Sequence, residues 1–144
     1  MIEKISYKND MLALIVRGKY RARKGITFFT PRESIQQFGY MRHKKSHIIK
    51  PHLHKKRKTR IMYTSEVILL LKGILRVDFY NNKKKYLISK ILKPKDIIML
   101  VKGGHGFKVL KEVQMIEIKQ GPYSLSKDKI KFENIDENKI KIKK

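Results

Sequence analysis

Cysteine is absent from the 144 residues of this chain, and its absence removes several kinds of chemistry at once. Without thiols there are no disulfides, thiolate metal sites, iron–sulfur clusters or cysteine nucleophiles, so any metal must be held by His, Asp or Glu. Long apolar runs are also missing: a run such as residues 67–71 is far too short to cross a bilayer. The N-terminus has no signal-peptide pattern. We therefore expect a cytoplasmic protein without a membrane span.

Acidic residues are scarce, with 12 Asp and Glu against 36 Lys and Arg, which gives a net charge of +24. Such a charge favours polyanions, so a nucleic-acid binder is one class to consider. However, 28 Lys against 8 Arg, together with 20 Ile, is the joint bias that an A/T-rich genome imposes on any protein. The basic residues are also spread over the whole chain. We therefore favour a solvated basic surface over a nucleic-acid interface.

Hydrophobic periodicity divides the middle of the chain into short strands. Residues 74–80 alternate apolar and polar side chains, as a half-buried strand does. Further apolar runs, separated by turn residues, lie at 66–71, 86–92, 97–101, 105–110 and 113–119. Two of the separating turns are expected at residues 72–73 and 111–112. Strands at this spacing indicate an all-β antiparallel sandwich or barrel.

The two ends of the chain are less regular. Residues 11–16 and 25–29 are interpreted as strands, and residues 30–33 have the hydroxyl cap, proline and glutamate of a helix start. This pattern predicts one short N-terminal helix or turn over residues 31–38. Residues 126–144 alternate charge with isoleucine, which predicts a charged, loosely docked tail. We expect a single domain over residues 1–125, with core strands at about residues 45–120.

The pair His52 and His54 is the strongest candidate for metal binding. In a strand, residues two apart project to the same face, so both imidazoles would be able to reach one metal ion. The alternative is a lysine-rich surface strand that carries two exposed histidines. Glu66 opens an apolar strand, where a buried carboxylate needs a positive partner, and His105 follows a glycine-rich turn. Together the four side chains would leave open positions on Fe, Mn, Ni or Zn, as in a reactive site.

These residues resemble the motifs of the cupin superfamily. His52, His54, Glu66 and Gly73 match the first motif, and His105 after its glycine-rich turn matches the second. The resemblance implies an antiparallel double-stranded β-helix, which is the cupin or jelly-roll barrel, and one divalent metal ion held by those His and Glu side chains. It also implies a homodimer. Eleven residues separate His54 from Glu66, so we expect an insertion in this hairpin.

A closer similarity is to a family of small bacterial cupin proteins. The residues that carry it are 28–31, 36–40, 51–54, 76–80, 103–107 and 115–123. Genes of such proteins often lie among those for surface-polysaccharide and sugar-nucleotide synthesis. The similarity therefore implies a small anionic sugar derivative, a nucleotide sugar or a sugar phosphate, as the partner molecule.

Three functions are open at this point. The first is a metal-dependent enzyme, of isomerase or epimerase type or with other metal-assisted chemistry on a sugar derivative, with Tyr40 and Tyr123 as candidate acid–base hydroxyls. In that function Arg57 and Arg60, in the basic run after the histidine pair, are candidate substrate contacts. The second is a metal-free enzyme similar to sugar-nucleotide ketoisomerases and epimerases of cupin fold. The third is a non-catalytic sugar-binding or regulatory module.

Overall fold

The structure is a computed structural model that describes residues 1–122 and 128–143. The chain forms two compact units. The first, which we call the sheet unit, contains Met1–Tyr20 and the residues from Tyr63 onward. The second, which we call the loop unit, contains Arg21–Met62. Each unit is described here by itself.

The described residues form strands with the following bounds: β1 Ile2–Tyr7, β2 Asp10–Val16, β3 Gly25–Phe28, β4 Gly39–Arg42, β5 Glu66–Tyr80, β6 Tyr86–Leu92, β7 Ile97–Leu100 and β8 Gly104–Lys119. In the sheet unit, β1, β2, β7, β5 and β6 are neighbours in that order, and β8 pairs with β5. All these pairings are antiparallel. The sheet curls strongly into a half-barrel, which is compatible with a jelly-roll-like fold. The prediction of an all-β antiparallel fold is therefore confirmed.

The hydrophobic core of the sheet unit lies on one face of this curled sheet, which we call the inner face. Its members are the buried side chains of Ile5, Leu12, Ala13, Ile15, Ile68, Leu70, Leu75, Val77, Phe79, Leu92, Ile98 and Leu100. Successive side chains in a strand point to opposite faces, which explains why alternate residues of β5 belong to this cluster. Burial of one large apolar side chain contributes about 1.5–3 kcal/mol. The alternation of apolar and polar residues in 74–80 thus correctly predicts which side chains of β5 face the core.

β5 and β8 are longer than the sequence predicts, because the expected turns at residues 72–73 and 111–112 are not turns. Both sites lie inside the ladder between the two strands, where the register shifts repeatedly between residues 70 and 75 of β5. Gly73 has a φ of 91°, and a side chain at this position would collide with the backbone carbonyl of Glu112. The turn signals therefore mark an irregularity at which two long strands bend together.

The loop unit contains a small two-stranded sheet of β3 and β4. Between these strands, residues 31–38 form turns, and the helical alternative of the prediction is wrong. The side-chain amide of Gln37 donates to three carbonyl oxygens, those of Pro31, Arg32 and Ser34. Because a side chain satisfies carbonyls that a helix would pair with its own N–H groups, the segment closes as a turn.

The described part of the C-terminal segment packs on the sheet unit through an acidic side chain. Glu137 lies in the 3-10 turn Glu137–Lys139 and accepts hydrogen bonds of 2.7 and 3.0 Å from the guanidinium of Arg76, a buried residue of β5. The hydrogen bonds from Arg76, followed by that from Lys108, lower the pKa of Glu137 to about 2. Within residues 1–122 and 128–143, no helix has the length and apolarity needed to span a bilayer.

A second group of charges ties the first strands of the sheet unit to the turn before β7. Arg17 lies 2.5 Å from a carboxylate oxygen of Glu3 and 2.7 Å from one of Asp96. Lys90 bonds the second oxygen of Glu3 at 2.5 Å, and Asp96 also accepts from two backbone N–H groups. Burial would raise the pKa of Glu3, but the hydrogen bonds from Arg17 and Lys90 lower it. The carboxylate of Glu3 is therefore held ionised by its partners.

Replacing Gly73 with alanine should destabilise the protein by at least about 2 kcal/mol, because the new side chain meets a fixed carbonyl and the backbone is left-handed there. The matched control is Gly106→Ala in β8, where an added Cβ meets its neighbours at 3.9 Å. We expect the control to change the free energy of unfolding by less than about 1 kcal/mol. Urea denaturation followed by circular dichroism measures both. Equal stabilities of the two variants would contradict the structural role of this glycine.

Replacing Glu137 with glutamine should loosen the C-terminal segment, because the neutral side chain loses both cationic partners. In the parent protein, the low pKa of Glu137 means that its contribution is complete above the ordinary value of 4.5 and is lost as the pH falls to about 2. Hydrogen exchange of the Ile135 and Lys141 amides, which donate to tyrosine hydroxyls, reports this change. The control is Glu133→Gln, an exposed acid of the same segment. Identical exchange in both variants would refute the anchoring role.

Candidate functional site

The curl of the sheet brings together two of the residues predicted to bind metal. Glu66 is the first residue of β5, and His105 on β8 lies opposite Phe79, close to the other end of β5. Residues directly opposite each other in a ladder share a face, so His105 projects to the inner face, as Phe79 does. The Nε2 atom of His105 is 3.1 Å from the Oε2 atom of Glu66. Two side chains separated by 39 residues in the chain therefore form one acid–imidazole pair.

Glu66 is a buried carboxylate in a cationic environment. Its side chain is 6% exposed, and the Nζ atom of Lys129 lies 3.5 Å from its Oε1 atom. The contact with His105 lowers the pKa of Glu66, burial acts in the opposite direction, and the charges of Lys129 and Lys119 lower it further. The carboxylate is thus stabilised in its ionised form by the positive groups around it.

One oxygen of this carboxylate lacks a hydrogen-bond donor among the described residues. The Oε2 atom of Glu66 is buried, and its contact with His105 has the distance of an ion pair without the geometry of a hydrogen bond. Leaving a charged oxygen without a donor is costly in a buried position. A further positive group would therefore be stabilised most if it were bound at this oxygen.

The ring of Phe107 packs beside this pair. Its centroid is 5.3 Å from that of the His105 imidazole, with the two rings tilted by 48°. Phe107 lies opposite Val77 and therefore projects to the same inner face as His105. The apolar ring limits the orientations that the imidazole adopts. The side chain of His105 is still 26% exposed, so the pair is accessible to a small molecule.

His52 and His54 belong to the loop unit, in a stretch without regular secondary structure. Residues 43–62 contain no strand, so the strand predicted around this pair is wrong. The two imidazoles are nevertheless neighbours, with ring centroids 5.2 Å apart, and both residues are exposed. The Nδ1 atom of His52 lies 2.9 Å from the carbonyl oxygen of Lys50. Within residues 1–122 and 128–143, no three His, Asp or Glu side chains are grouped as a metal site would require.

Of the other predicted site residues, three lie in the loop unit and one lies outside the described residues. Tyr40 lies in β4 of the loop unit, half-buried and opposite Thr27. Arg57 and Arg60 are exposed side chains of the loop unit. Tyr123 lies outside the described residues. Its role as an acid–base hydroxyl therefore stays a prediction, as does that of Tyr40.

Lys129 is a member of the site that sequence reasoning does not find. It lies in a lysine-rich C-terminal segment, 63 residues after Glu66, and no motif distinguishes it from the lysines around it. Only the docking of that segment on the sheet unit places its ammonium beside the buried carboxylate. No signal in the sequence would have identified it.

Comparisons with known proteins find no match to this chain among family models, curated proteins or solved structures. The class of protein is therefore defined by the fold and the site alone. It is a curled antiparallel β-sheet protein with a buried carboxylate–imidazole pair on the inner face of the sheet.

Proposed function

We propose that this protein is a cupin-fold metalloprotein in which Glu66 and His105, with His52 and His54, hold one divalent ion of Fe, Mn, Ni or Zn. The observation that carries the proposal is the buried Glu66 carboxylate, whose Oε2 atom has no hydrogen-bond donor among the residues that the structure describes and faces His105 at 3.1 Å. His52 and His54 are added by their sequence motif alone. One carboxylate and three imidazoles are ligands suited to these metals.

The residues of the pair fit a divalent ion in charge and in donor type. Glu66 is ionised at neutral pH because its pKa is lowered, and the neutral form of an imidazole offers a nitrogen lone pair. When bound, the ion would supply Lewis acidity toward a carbonyl or hydroxyl oxygen. The protein side chains orient the substrate and hold the negative charge of the carboxylate away from solvent.

We propose a small anionic sugar derivative, a nucleotide sugar or a sugar phosphate used in polysaccharide biosynthesis, as the molecule bound by the site. This part of the proposal derives from the similarity to small bacterial cupins and from the basic residues. Arg57 and Arg60 are exposed and lie a few residues after the histidine pair. Exposed guanidinium groups attract phosphate and bind it with two parallel hydrogen bonds.

A second candidate function uses the same pair without a metal. The direct contact of 3.1 Å between His105 and Glu66 places an imidazole beside a carboxylate. In such a pair the carboxylate stabilises the protonated imidazole, which then moves a proton at a substrate carbon or oxygen. This chemistry corresponds to the metal-free sugar-nucleotide ketoisomerase or epimerase. Metal content distinguishes the two functions.

Protein purified without a histidine tag should contain about one divalent metal ion per chain by mass spectrometry of the metal. His52→Ala and His105→Ala should each weaken metal binding at least about tenfold, because each removes a nitrogen ligand. The matched control is His47→Ala, which removes an exposed histidine of the loop unit outside the proposed ligand set. Full metal content in the folded His105→Ala variant would refute the metal site. If the parent protein takes up none of the four metals, the metal-free enzyme that uses Glu66 and His105 becomes the favoured function.

Calorimetry against a panel of sugar phosphates and nucleotide sugars should identify a ligand whose affinity falls as salt rises, because exposed charges are screened. Neutralising Arg57 and Arg60 to glutamine should weaken binding several-fold more than neutralising Lys83, Lys84 and Lys85, which lie in the turn between β5 and β6. Equal effects of the two sets would show that the basic residues act only through overall charge. A panel without any binder would refute the sugar derivative.

A further inference from the structure

The C-terminal segment, residues 128–143, contacts the sheet unit at the site and at a second, separate place. Near its start, the Nζ atom of Lys129 lies 3.5 Å from the Oε1 atom of Glu66 on the inner face. Eight residues later, Glu137 binds the guanidinium of Arg76, which alternates with the core residues of β5 and therefore projects to the opposite face. The segment thus connects the site with an anchor on the other face of the sheet.

The anchor holds the segment by several contacts of its own. Besides its bonds to the guanidinium, Glu137 has an oxygen 2.8 Å from the Nζ atom of Lys108. The backbone N–H of Ile135 donates a hydrogen bond of 3.1 Å to the hydroxyl of Tyr80. The ring of Phe132 packs edge-on against the ring of Tyr80, with centroids 5.0 Å apart. The segment is therefore held in place by contacts outside the site.

The ammonium of Lys129 is a loosely held partner of the buried carboxylate. Its distance of 3.5 Å from Glu66 is longer than that of a charge-assisted hydrogen bond, which is about 2.7–2.9 Å. The lysine side chain is also 54% exposed, so its flexible stem is able to move the ammonium into water at little cost. The Glu66 side chain is only 6% exposed and needs a positive partner. Lys129 is therefore a counter-ion that the site is able to exchange.

We propose that Lys129 is an internal competitor of the metal ion. Its ammonium offsets the charge of Glu66 in the metal-free protein and leaves when the ion binds, which loosens the C-terminal segment. This inference rests on the proposed metal site. The ammonium and the ion are stabilised by the charge of one carboxylate, and their mutual repulsion is little screened in a buried position. Because the segment carries Lys129 to Glu66, docking of the segment and binding of the metal oppose each other.

The opposition is measurable from both ends of the segment. If docking weakens metal binding by a given factor, metal binding weakens docking by the same factor. A variant that loosens the anchor therefore raises the metal affinity although it changes no ligand. Glu137→Gln is such a variant, since it loses the charge that holds Arg76 and Lys108. Its effect should vanish in a protein without Lys129, because the anchor acts on the metal only through that ammonium.

Calorimetric titration of the full chain with Fe(II), Mn(II), Ni(II) and Zn(II) in turn identifies the metal that binds most tightly, and the variants are compared with that metal. We expect Lys129→Met to raise the affinity at least about fivefold and Glu137→Gln at least about threefold. The double variant should bind as Lys129→Met does. The controls are Lys131→Met and Glu133→Gln, which make the same changes of charge at exposed residues of the segment. They should change the affinity by less than about twofold.

Hydrogen exchange of the Ile135 amide reports the same event from the segment. Addition of the metal should accelerate this exchange several-fold in the parent protein, because the segment loses its contact at the site. In the Lys129→Met variant the metal should leave the exchange unchanged, since no ammonium is displaced. A lysine that only stabilised the fold would not produce this difference.

Equal metal affinities of the parent and of folded Lys129→Met would overturn the inference and leave the metal site intact. Circular dichroism checks folding. If Lys129→Met does not fold, Glu137→Gln keeps the lysine and decides the question, because an affinity equal to that of Glu133→Gln would also overturn the inference. A parent protein that binds none of the four metals would refute the metal site itself, and the inference with it.

Discussion

The bend of β5 and β8 is the constraint on which the rest of the sheet unit depends. β5 is shared: its first residues pair with β7, its last residues pair with β6, and β8 follows it throughout. A straight strand from Glu66 to Phe79 would span more than 40 Å at about 3.3 Å per residue. The curl instead brings Glu66 within 3.1 Å of a side chain that lies opposite Phe79. Gly73 permits the bend because no side chain stands between the two backbones.

Near the start of β5, polar and apolar side chains lie on opposite faces of the sheet. Glu66, Glu117 and Lys119 are on the inner face, and Ile116 and Ile118 of β8 are on the opposite face. A carboxylate on the inner face is tolerated because the ammonium of Lys129 and the imidazole of His105 lie beside it.

Local sequence rules located most strands well but predicted turns between some of them where the strands continue. Glu66 and Tyr86 are the first residues of strands in both the prediction and the structure, because β-branched and aromatic runs bounded by polar residues need no distant information. Gly73 and Glu112 were expected in turns. A glycine at positive φ serves a turn or a bulge equally well, and the choice depends on whether another strand lies alongside. The helix predicted to begin at Thr30 does not form, because the side chain of Gln37 satisfies the carbonyls that a helix would have used.

The sequence by itself determined the all-β class, the face of β5 that enters the core and two members of the site, Glu66 and His105. These follow from side-chain periodicity and from residue types that are costly to bury without a partner. Only the tertiary structure decided that these two side chains meet, that Lys129 joins them and that Ile116 and Ile118 face outward. Each of these depends on the register between strands distant in the chain. A shift of one residue reverses every side chain of a strand, and that register is set by packing over the whole sheet.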